Sequence, residues 1–386
     1  MLSWGVLGWV ALAVWFTVGC LLETGKLLRV ARGRGEPTTW PGLAILRPCA
    51  GLEPGLESNL WSTVTARYEG PRELFLLVAS PADAAHAIAL RVQERARTLA
   101  IRVEVVVTSI ATLHNRKVAQ LAVAQPLSTA PIIVVIDSDL ELHDGSLPAL
   151  ISALVSDPRA GAASCPPVDI DARTIGDHAS AALLSSTTHA FYCLAALAER
   201  SSGAHVLCGA FIAVHRHVLE QLGGFSSLEP FLGEDFELAR RLHANGYTIP
   251  TAAAPAHVTD HGRSLRTVLT RFHRWAMVTR QQRPHLMVTY PLLLACTPLL
   301  IIAACLVHTT PLLVGVGLVL VLRVALASML RRAYGLPADL LRSLAAMLLG
   351  EVLMLVSSAS ALTVPVVSWR GHRYRVARNG ILDLIR

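Results

Sequence analysis

Short apolar runs alternate with amphipathic segments through the middle of the chain, between residues 41 and 284. The run at 132–136 contains only isoleucine and valine, which is typical of a strand buried on both faces of a parallel sheet. Strands that alternate with helices at this spacing predict βαβ units and therefore an α/β domain. The predicted strands are 43–46, 74–78, 103–107 and 132–136, and the predicted helices between them are 56–66, 84–99 and 116–124.

A long apolar stretch precedes this region. Residues 2–22 are almost uninterruptedly apolar, and about 20 such residues span a bilayer. Lysine and arginine follow between positions 26 and 34, so the positive-inside rule predicts that the next domain faces the cytoplasm. Because this charge comes after the apolar core, the stretch is predicted to be a retained anchor rather than a cleaved signal peptide.

Apolar segments return towards the C-terminus. Arginines interleave with apolar residues over 262–283, which predicts an amphipathic helix in the membrane interface. Residues 287–307 and 311–322 predict a pair of spans. A further full span over 340–367 would carry the arginine-rich end outside, so this segment is predicted to be re-entrant or two-armed. The predicted organisation is an anchor at 1–24, a cytoplasmic domain at 41–284, membrane segments at 286–367 and a basic cytoplasmic tail at 368–386.

Composition supports a membrane-attached protein. Of 386 residues, 53% are hydrophobic, and the net charge of +7 suits anionic lipid or phosphate ligands. Nucleic acid is disfavoured as a partner because the arginines are scattered between apolar runs with few aromatic residues among them. Seven cysteines without a Cys-x-x-Cys pair indicate reduced thiols in a cytosol-facing domain.

Two acidic motifs carry candidate chemistry. Side chains alternate along a strand, so Asp137 and Asp139 are predicted to point the same way and Ser138 the opposite way. Two carboxylates at the end of a parallel strand suit a divalent cation that holds a diphosphate, although Asp-Ser-Asp is also typical of a solvated turn. Glu234 and Asp235 lie at a predicted helix start, where acidic residues also stabilise the helix end.

The segment Arg271-Phe272-His273-Arg274-Trp275 completes an ordered set with these acidic motifs. The set resembles the inverting, family-2-like glycosyltransferases with a Rossmann-like GT-A nucleotide-sugar fold, and most of all the ceramide glucosyltransferases. Hopanoid glycosyltransferases are among the bacterial relatives of that family. The resemblance implies an N-terminal anchor, a cytosolic catalytic domain, C-terminal membrane segments, and Mn²⁺ or Mg²⁺ as the cofactor.

The same resemblance assigns roles to individual residues. It implies that Asp137 and Asp139 bind the metal and the diphosphate, and that Asp235 is the general base. Arg271, Arg274 and Trp275 match the motif that grips the diphosphate and caps the acceptor site. The full set of expected substrate-binding residues is Arg47, Ser80, Asp83, Lys117, Asp137, Glu234, His261, Arg271, Arg274 and Trp275.

Several further residues are candidates for a functional role. The family has an aspartate where this chain has Ser80, and Asp83, three residues later, is the candidate substitute for its contact with the nucleotide. His257-x-x-x-His261 has zinc-like spacing but lacks the glutamate of the zinc-protease motif and a marked third ligand. The resemblance to bacterial lipid glycosyltransferases, which often carry a histidine before the final Arg-Trp motif, implies instead that His261 lies near the active site. Glu351 within an apolar segment is either functional or close to the end of that segment.

The predicted function is transfer of one hexose from a UDP-sugar to a lipid hydroxyl, with ceramide as the leading acceptor. The alternatives are a hopanoid-lipid N-acetylglucosaminyltransferase or other glycosyltransferase, a processive polysaccharide synthase, and an inactive scaffold, the last motivated by Ser80. The predicted location is a bacterial inner membrane, with the catalytic domain facing the cytoplasm. The sequence leaves open the sugar, the number of spans and the oligomeric state.

Overall fold

The computed structural model describes residues 2–110, 114–200, 206–369, 372–377 and 380–385. Its strands are β1 Leu43–Pro48, β2 Arg72–Val78, β3 Arg102–Val107, β4 Ile132–Ile136, β5 Leu140–Glu141, β6 Ala162–Ser164, β7 Pro167–Asp169, β8 Phe211–His215, β9 Ala256–Val258, β10 Val366–Trp369, β11 His372–Val376 and β12 Leu382–Leu384. Its α-helices are α1 Leu2–Arg32, α2 Leu56–Thr65, α3 Ala84–Ala96, α4 Arg116–Ala124, α5 Ser146–Val155, α6 Ile175–Ser186, α7 Phe191–Arg200, α8 Arg216–Gln221, α9 Glu234–Ala244, α10 Leu265–Gln282, α11 Leu286–Thr289, α12 Thr297–Val307, α13 Thr310–Ala333 and α14 Leu340–Thr363.

The chain forms two compact units. The sheet unit comprises Val30–Ile170 and Gly203–His261, and the helical unit comprises Met1–Arg29, Asp171–Ser202 and Gly262–Arg386. This division differs from the predicted single domain at 41–284. The apolar faces of α6 and α10 lie in a hydrophobic cluster with α14, which explains why both helices belong to the helical unit.

The sheet unit is built on a central sheet with the strand order β3-β2-β1-β4-β8-β6. Strands β1 to β4 are parallel, whereas β8 runs antiparallel to β4, so the sheet is mixed. The predicted α/β architecture is confirmed, and each of the four predicted strands is present. Because β1, β2 and β4 are parallel neighbours, their carboxyl ends meet at one edge of the sheet.

Burial on both faces explains the unbroken apolar runs of these strands. In β4, Ile132, Val134 and Ile136 belong to one hydrophobic cluster, and Ile133 and Val135 belong to a second cluster on the other face. Helices α2, α3 and α5 contribute to the first cluster, whereas α4, α8 and α9 contribute to the second. This is the arrangement expected of a sheet covered by helices on both sides.

The helical unit contains the long apolar helices. Among the described residues, four helical segments are long and apolar enough to cross a membrane: Trp4–Arg32, Ile175–Glu199, Thr310–Ala333 and Leu340–Thr363. A fifth candidate is the pair Leu286–Leu294 and Thr297–Val307, if both helices belong to one span that is bent by 59° at the break.

The position of the bend corrects one prediction. Residues 340–367 were predicted to form a re-entrant or two-armed segment, but α14 is one continuous helix of 24 residues. The break lies between α11 and α12 instead, next to a π-helical turn at Tyr290–Leu294. Pro291 and Pro298 flank the break, and proline lacks the N–H that a continuing helix requires.

A buried ion pair satisfies the backbone groups that this break leaves open. Arg323 of α13 donates to the carbonyls of Leu293 and Leu294, the latter at 3.1 Å. Glu351 of α14 accepts from the Thr297 amide at 2.9 Å and from its hydroxyl at 3.1 Å. The two side chains lie 3.5 Å apart and are almost fully buried. Glu351 therefore stabilises the helix break, and it does not lie at a segment end.

The described C-terminal residues form an antiparallel sheet with the order β10-β11-β12, where the sequence predicted a basic tail at 368–386. In β11, Tyr374 and Val376 are buried whereas Arg373 and Arg375 are exposed. This alternation is typical of a strand with one covered face. The sequence analysis missed this strand because it considered the arginine content of residues 368–386 and not the alternation of polar and apolar positions.

Candidate active site

The two aspartates follow β4 directly, at the edge of the sheet where the parallel strands end. Asp137 extends the ladder, since its amide donates to the Ala210 carbonyl at 2.8 Å. The side chains of Asp137 and Asp139 are partly exposed, whereas Ser138 is buried and donates to a carboxylate oxygen of Glu53 at 2.5 Å. The predicted alternation is therefore observed, with the two carboxylates on the accessible side.

Lys117, in the first turn of α4, links the two acidic motifs. Its Nζ lies 2.6 Å from Asp137 Oδ1 and 3.4 Å from Glu234 Oε1, and it donates to the Gly209 carbonyl at 3.0 Å. Burial alone would lower the pKa of Lys117, but the carboxylates of Asp137 and Glu234 outweigh burial and raise it. Lys117 therefore carries a full positive charge at this edge of the sheet.

Asn115 fixes the helix starts that present these residues. It is the N-cap of α4, where its side-chain oxygen accepts from the Val118 amide at 3.3 Å. Its Nδ2 donates to Glu234 Oε2 at 3.0 Å and to the Phe231 carbonyl at 3.1 Å. One buried amide thus holds the starts of α4 and α9 together. The sequence analysis missed this role, although asparagine before an amphipathic helix is a recognisable cap signal.

Asp235 lies in the first turn of α9 with both oxygens engaged. Oδ2 accepts from the Gly209 amide at 3.0 Å, and Oδ1 accepts from the Phe236 amide at 2.8 Å. Burial, followed by the negative charge of Glu234, raises the pKa of Asp235 to about 6. A carboxylate with a pKa this close to neutrality is better suited to accept a proton than an ordinary surface aspartate.

Gly209 lies between Lys117 and Asp235, and only glycine fits there. Its carbonyl accepts from Lys117 while its amide donates to Asp235. A Cβ atom at this position would lie 2.8 Å from the Asp235 Cβ and 3.0 Å from Oδ2. Sequence analysis gave Gly209 no role, because its partners are distant along the chain.

We expect Gly209→Ala to displace the Asp235 carboxylate and to lower kcat by about 100-fold, the effect typical of a 1 Å misplacement. Gly35→Ala is a suitable control, since a Cβ there would meet nothing within 4 Å. Steady-state rates and thermal unfolding of both variants test this prediction. Equal rates for Gly209→Ala and the control would contradict it.

Arg47 requires a correction. It was predicted to contact the substrate, but its side chain is fully buried at the end of β1. Burial lowers the pKa of Arg47 to about 10, so it stays protonated at neutral pH. Its Nη1 donates to the Asn59 carbonyl and the Thr63 hydroxyl, and its Nη2 donates to the carbonyls of Asp137 and Leu140. The guanidinium therefore points into the protein, where a substrate cannot reach it.

Ser80 and Asp83 lie in the loop after β2, at the same edge of the sheet. The Ser80 carbonyl accepts from the Asp83 amide at 3.1 Å. Asp83 is the N-cap of α3, and its Oδ1 accepts from the Ala85 amide at 2.9 Å and from the Gly51 amide at 2.8 Å. Asp83 thus ties two loops together, and contact of either residue with a nucleotide remains a prediction.

His261 lies in the segment after β9, two residues beyond Thr259. Its Nδ1 lies 2.6 Å from the Thr259 carbonyl. Because a carbonyl oxygen only accepts, Nδ1 carries the hydrogen, and Nε2 of the neutral ring keeps its lone pair. Thr259 also donates its amide to the Asp139 carbonyl at 2.9 Å. In the described ranges, no group of three His, Cys, Asp or Glu residues could hold a metal.

The Arg-x-x-Arg-Trp motif lies on α10 in the helical unit. Arg271 donates to the Ser180 hydroxyl of α6, and its guanidinium carbon lies 5.5 Å from the Trp275 ring centroid. Arg274 is partly buried, and the Trp275 side chain is 37% exposed. His273, which the sequence analysis passed over, lies 2.9 Å from the Ser360 hydroxyl and 3.1 Å from the Val366 carbonyl. These contacts hold α10 against α14 and β10.

The mixed sheet, the Asp-x-Asp turn after β4, the adjacent lysine and Asp235 agree with the site that the sequence predicted for a nucleotide-sugar glycosyltransferase. The sequence profile of glycosyl transferase family 21 matches residues 11–382, so the chain belongs to this family. The predicted family resemblance is thereby confirmed, and the mixed sheet described above agrees with the predicted α/β class.

Curated relatives are similar along much of the chain. Ceramide glucosyltransferase 3 of Caenorhabditis elegans is 22% identical over 356 residues, which cover 89% of this chain and 75% of the relative. Ceramide glucosyltransferase 1 of the same organism is 22% identical over 256 residues, which cover 66% of this chain and 53% of the relative.

Solved structures also show similarity. A mannosyltransferase from Pyrobaculum calidifontis in complex with GDP-Man and Mn²⁺ is 17% identical, with a TM-score of 0.49 over 92% of this chain and 99% of that one. A glucosyl-3-phosphoglycerate synthase from Mycobacterium tuberculosis in complex with Mn²⁺, UDP and glucosyl-3-phosphoglycerate is 16% identical, with a TM-score of 0.37 over 65% of this chain and 83% of that one.

Proposed function

We propose that this chain transfers one hexose from a UDP-sugar to the hydroxyl of a membrane lipid, with inversion at the anomeric carbon and with ceramide as the leading acceptor. The observation that carries the proposal is the cluster in which Lys117 joins Asp137 to Glu234 and Gly209 joins Lys117 to Asp235. This cluster combines fixed positive charge, exposed carboxylates and a proton acceptor at the carboxyl edge of the sheet.

The donor side of the reaction would use the first part of this cluster. Asp137 and Asp139 supply oxygen ligands, and Mg²⁺ is usually held by one or two carboxylates together with substrate phosphates, so the donor set fits Mn²⁺ or Mg²⁺. A bound cation would neutralise the diphosphate as it leaves. Lys117 would add a fixed ammonium, and we assign Arg271 and Arg274 the same electrostatic role towards the phosphates.

The acceptor side would use Asp235. The acceptor oxygen attacks the anomeric carbon on the face opposite the diphosphate, and the bond from that carbon to the UDP oxygen breaks. The hydroxyl proton passes to the Asp235 carboxylate, whose raised pKa matches it to this task near neutral pH. Hydrogen bonds from Gly209 and Phe236 hold the carboxylate in a fixed orientation for this transfer.

A lipid acceptor is supported by the apolar helices in the described part of the chain and by the ceramide glucosyltransferases among the relatives. A lipid hydroxyl lies at the bilayer surface, so an enzyme with membrane helices can receive it without extracting the lipid. The motif Arg271-x-x-Arg274-Trp275, with a partly exposed tryptophan on α10, is assigned to capping the acceptor site.

A panel of UDP-hexoses crossed with ceramide, a polar-headed hopanoid and a diacylglycerol tests the proposal, with purified protein in lipid nanodiscs and mass spectrometry of the products. A single hexose on ceramide is the expected product. Transfer to the hopanoid alone would identify a hopanoid, and not ceramide, as the acceptor. Chains of several sugars would indicate a polysaccharide synthase. Absence of UDP release with every donor would favour the inactive scaffold.

Activity is expected to require the divalent cation. EDTA should abolish turnover, excess Mn²⁺ or Mg²⁺ should restore it, and Asp139→Ala should abolish it without lowering the melting temperature appreciably. Asp144→Ala, an exposed aspartate after β5, is the matched control and should retain the wild-type rate. Full turnover in EDTA would exclude the metal from the mechanism.

The sheet unit is proposed to face the cytoplasm, because the basic residues that follow the apolar part of α1 favour that side. Protease added outside sealed, right-side-out vesicles should leave the sheet unit intact and should digest it once detergent is added. Digestion before permeabilisation would reverse the orientation.

A further inference from the structure

The backbone that carries the two aspartates is held at every carbonyl. Arg47 Nη2 donates to the carbonyls of Asp137, at 2.8 Å, and Leu140, at 2.7 Å. Asn59 Nδ2 donates to the Ser138 carbonyl at 3.0 Å, and the Thr259 amide donates to the Asp139 carbonyl at 2.9 Å. Four consecutive carbonyls, from Asp137 to Leu140, thus accept hydrogen bonds from the protein interior, while the two carboxylates face the accessible side.

The donors that hold this turn are themselves fixed. Arg47 and Asn59 are fully buried, and Arg47 Nη1 donates to the Asn59 carbonyl and the Thr63 hydroxyl, both at 2.6 Å. Asn59 Nδ2 also donates to the Thr259 hydroxyl at 2.7 Å. Arg47 therefore connects β1, α2 and the turn after β4 through one guanidinium.

The choice of arginine at position 47 supports a specific role for its side chain. The hydrogen bonds from the Arg47 guanidinium go to three carbonyls and one hydroxyl, all neutral acceptors. Burying a charge whose hydrogen-bond acceptors are all neutral is costly, even though the carboxylates of Asp139, Asp137 and Glu53 favour the charged guanidinium. Arginine, however, supplies several donors in a planar fork, and here a single nitrogen reaches both ends of the turn, which a lysine ammonium cannot reproduce in the same geometry.

We propose that Arg47 is a positioning residue that presets the Asp137 and Asp139 carboxylates for a divalent cation. This inference rests on the proposed function and deepens it, because it explains how the cation site keeps its shape before the donor binds. Its hydrogen bonds reach the turn through backbone carbonyls, and its charge also attracts the carboxylates of Asp139 and Asp137, an attraction that a lysine at this position would keep. The alternative is that Arg47 stabilises the sheet unit without influencing the cation site.

Arg47→Lys separates these two roles. Supports of metal-binding side chains typically change metal affinity by about 10-fold to 100-fold when they are mutated, so the Kd for Mn²⁺ in the presence of UDP should rise by about that factor. The Mn²⁺ concentration for half-maximal rate should rise in parallel, whereas kcat at saturating Mn²⁺ should change by only a few-fold. Amide hydrogen exchange over residues 136–141 should accelerate.

Arg216→Lys is the matched control. Arg216 is also largely buried and donates to backbone carbonyls, those of Ala130 and Gln125, which lie outside the aspartate turn. This variant should lower the melting temperature without changing Mn²⁺ affinity or exchange at 136–141. A second variant, Thr63→Val, removes one acceptor of Arg47 and should shift Mn²⁺ affinity in the same direction by a smaller factor.

The possible outcomes are distinct. If Arg47→Lys and Thr63→Val lower the melting temperature but leave both Mn²⁺ affinity and exchange at 136–141 like those of Arg216→Lys, Arg47 is structural only and the proposal is wrong. If the wild type transfers no sugar, the proposed function fails, but Mn²⁺ binding by electron paramagnetic resonance and hydrogen exchange still decide the role of Arg47.

Discussion

Replacing Asp235 with asparagine is expected to lower kcat by about 10²- to 10⁴-fold, the range typical for loss of a general base. Asparagine keeps the shape of the side chain, and its oxygen can still accept a hydrogen bond from Phe236 or Gly209. If Asp235 only stabilised the start of α9, its charge would contribute about 0.3–1 kcal/mol to stability and nothing to the chemical step. The size of the rate loss therefore distinguishes the two roles.

The pH dependence gives an independent test of Asp235. Its pKa is raised to about 6, so the carboxylate that accepts the proton is present above that pH and is lost as the pH falls through it. The wild-type kcat/KM should accordingly show an acidic limb near pH 6, which Asp235→Asn should remove from the residual activity.

Glu234→Gln serves as the matched variant for this test. The negative charge of Glu234 helps to raise the pKa of Asp235, so its removal should move the acidic limb to lower pH while the plateau rate changes by only a few-fold. If Asp235→Asn retains a rate within a few-fold of wild type with an unchanged pH profile, the base lies elsewhere, and His261 becomes the next residue to test.

The second large effect is expected inside the helical unit, at the ion pair between Arg323 and Glu351. Glu351→Ala leaves the buried guanidinium without its carboxylate and the Thr297 amide without its acceptor. Breaking a buried pair by removing one partner destabilises a protein by about 3–5 kcal/mol. Unfolding of the detergent-solubilised protein, followed by calorimetry or by denaturant titration, should show a loss of this size.

Two further variants define the origin of that loss. In Arg323→Met combined with Glu351→Met, no charge of this pair remains buried, so the double variant should lose clearly less than the sum of the losses of the single variants Arg323→Met and Glu351→Met. Arg342→Ala breaks an exposed pair with Asp339 on the same unit and should cost less than about 1 kcal/mol. Additive losses at Arg323 and Glu351 would mean that the pair contributes nothing beyond two separate contacts.

The sequence predicted the parts of the molecule that depend on local pattern. The isoleucine and valine run of β4 and the alternation after it were sufficient to place Asp137 and Asp139 at the strand end, on the accessible side. The helix start at Glu234 was equally readable from its acidic residues. Each of these inferences needed only a few neighbouring positions.

Features that depend on distant partners could not be read in this way. Arg47 at the end of β1 was consistent with a ligand contact, and only the packing of Asn59, Thr63 and the turn after β4 shows that it points inward. Glu351 was interpreted as a functional residue or as one near a segment end or in a re-entrant turn, because nothing local revealed that Arg323 neutralises it. In both cases a charge was interpreted without the partner that the fold supplies.

The placement of Lys117 has a consequence for the enzyme at rest. Its ammonium lies between the carboxylates of Asp137 and Glu234, so the protein itself supplies the counter-ion for both carboxylates. The positive charge of Lys117 offsets the repulsion between these two carboxylates. The arrangement of these side chains therefore depends on charges within the chain itself, and inhibition by a chelator should be reversible on dilution into fresh metal.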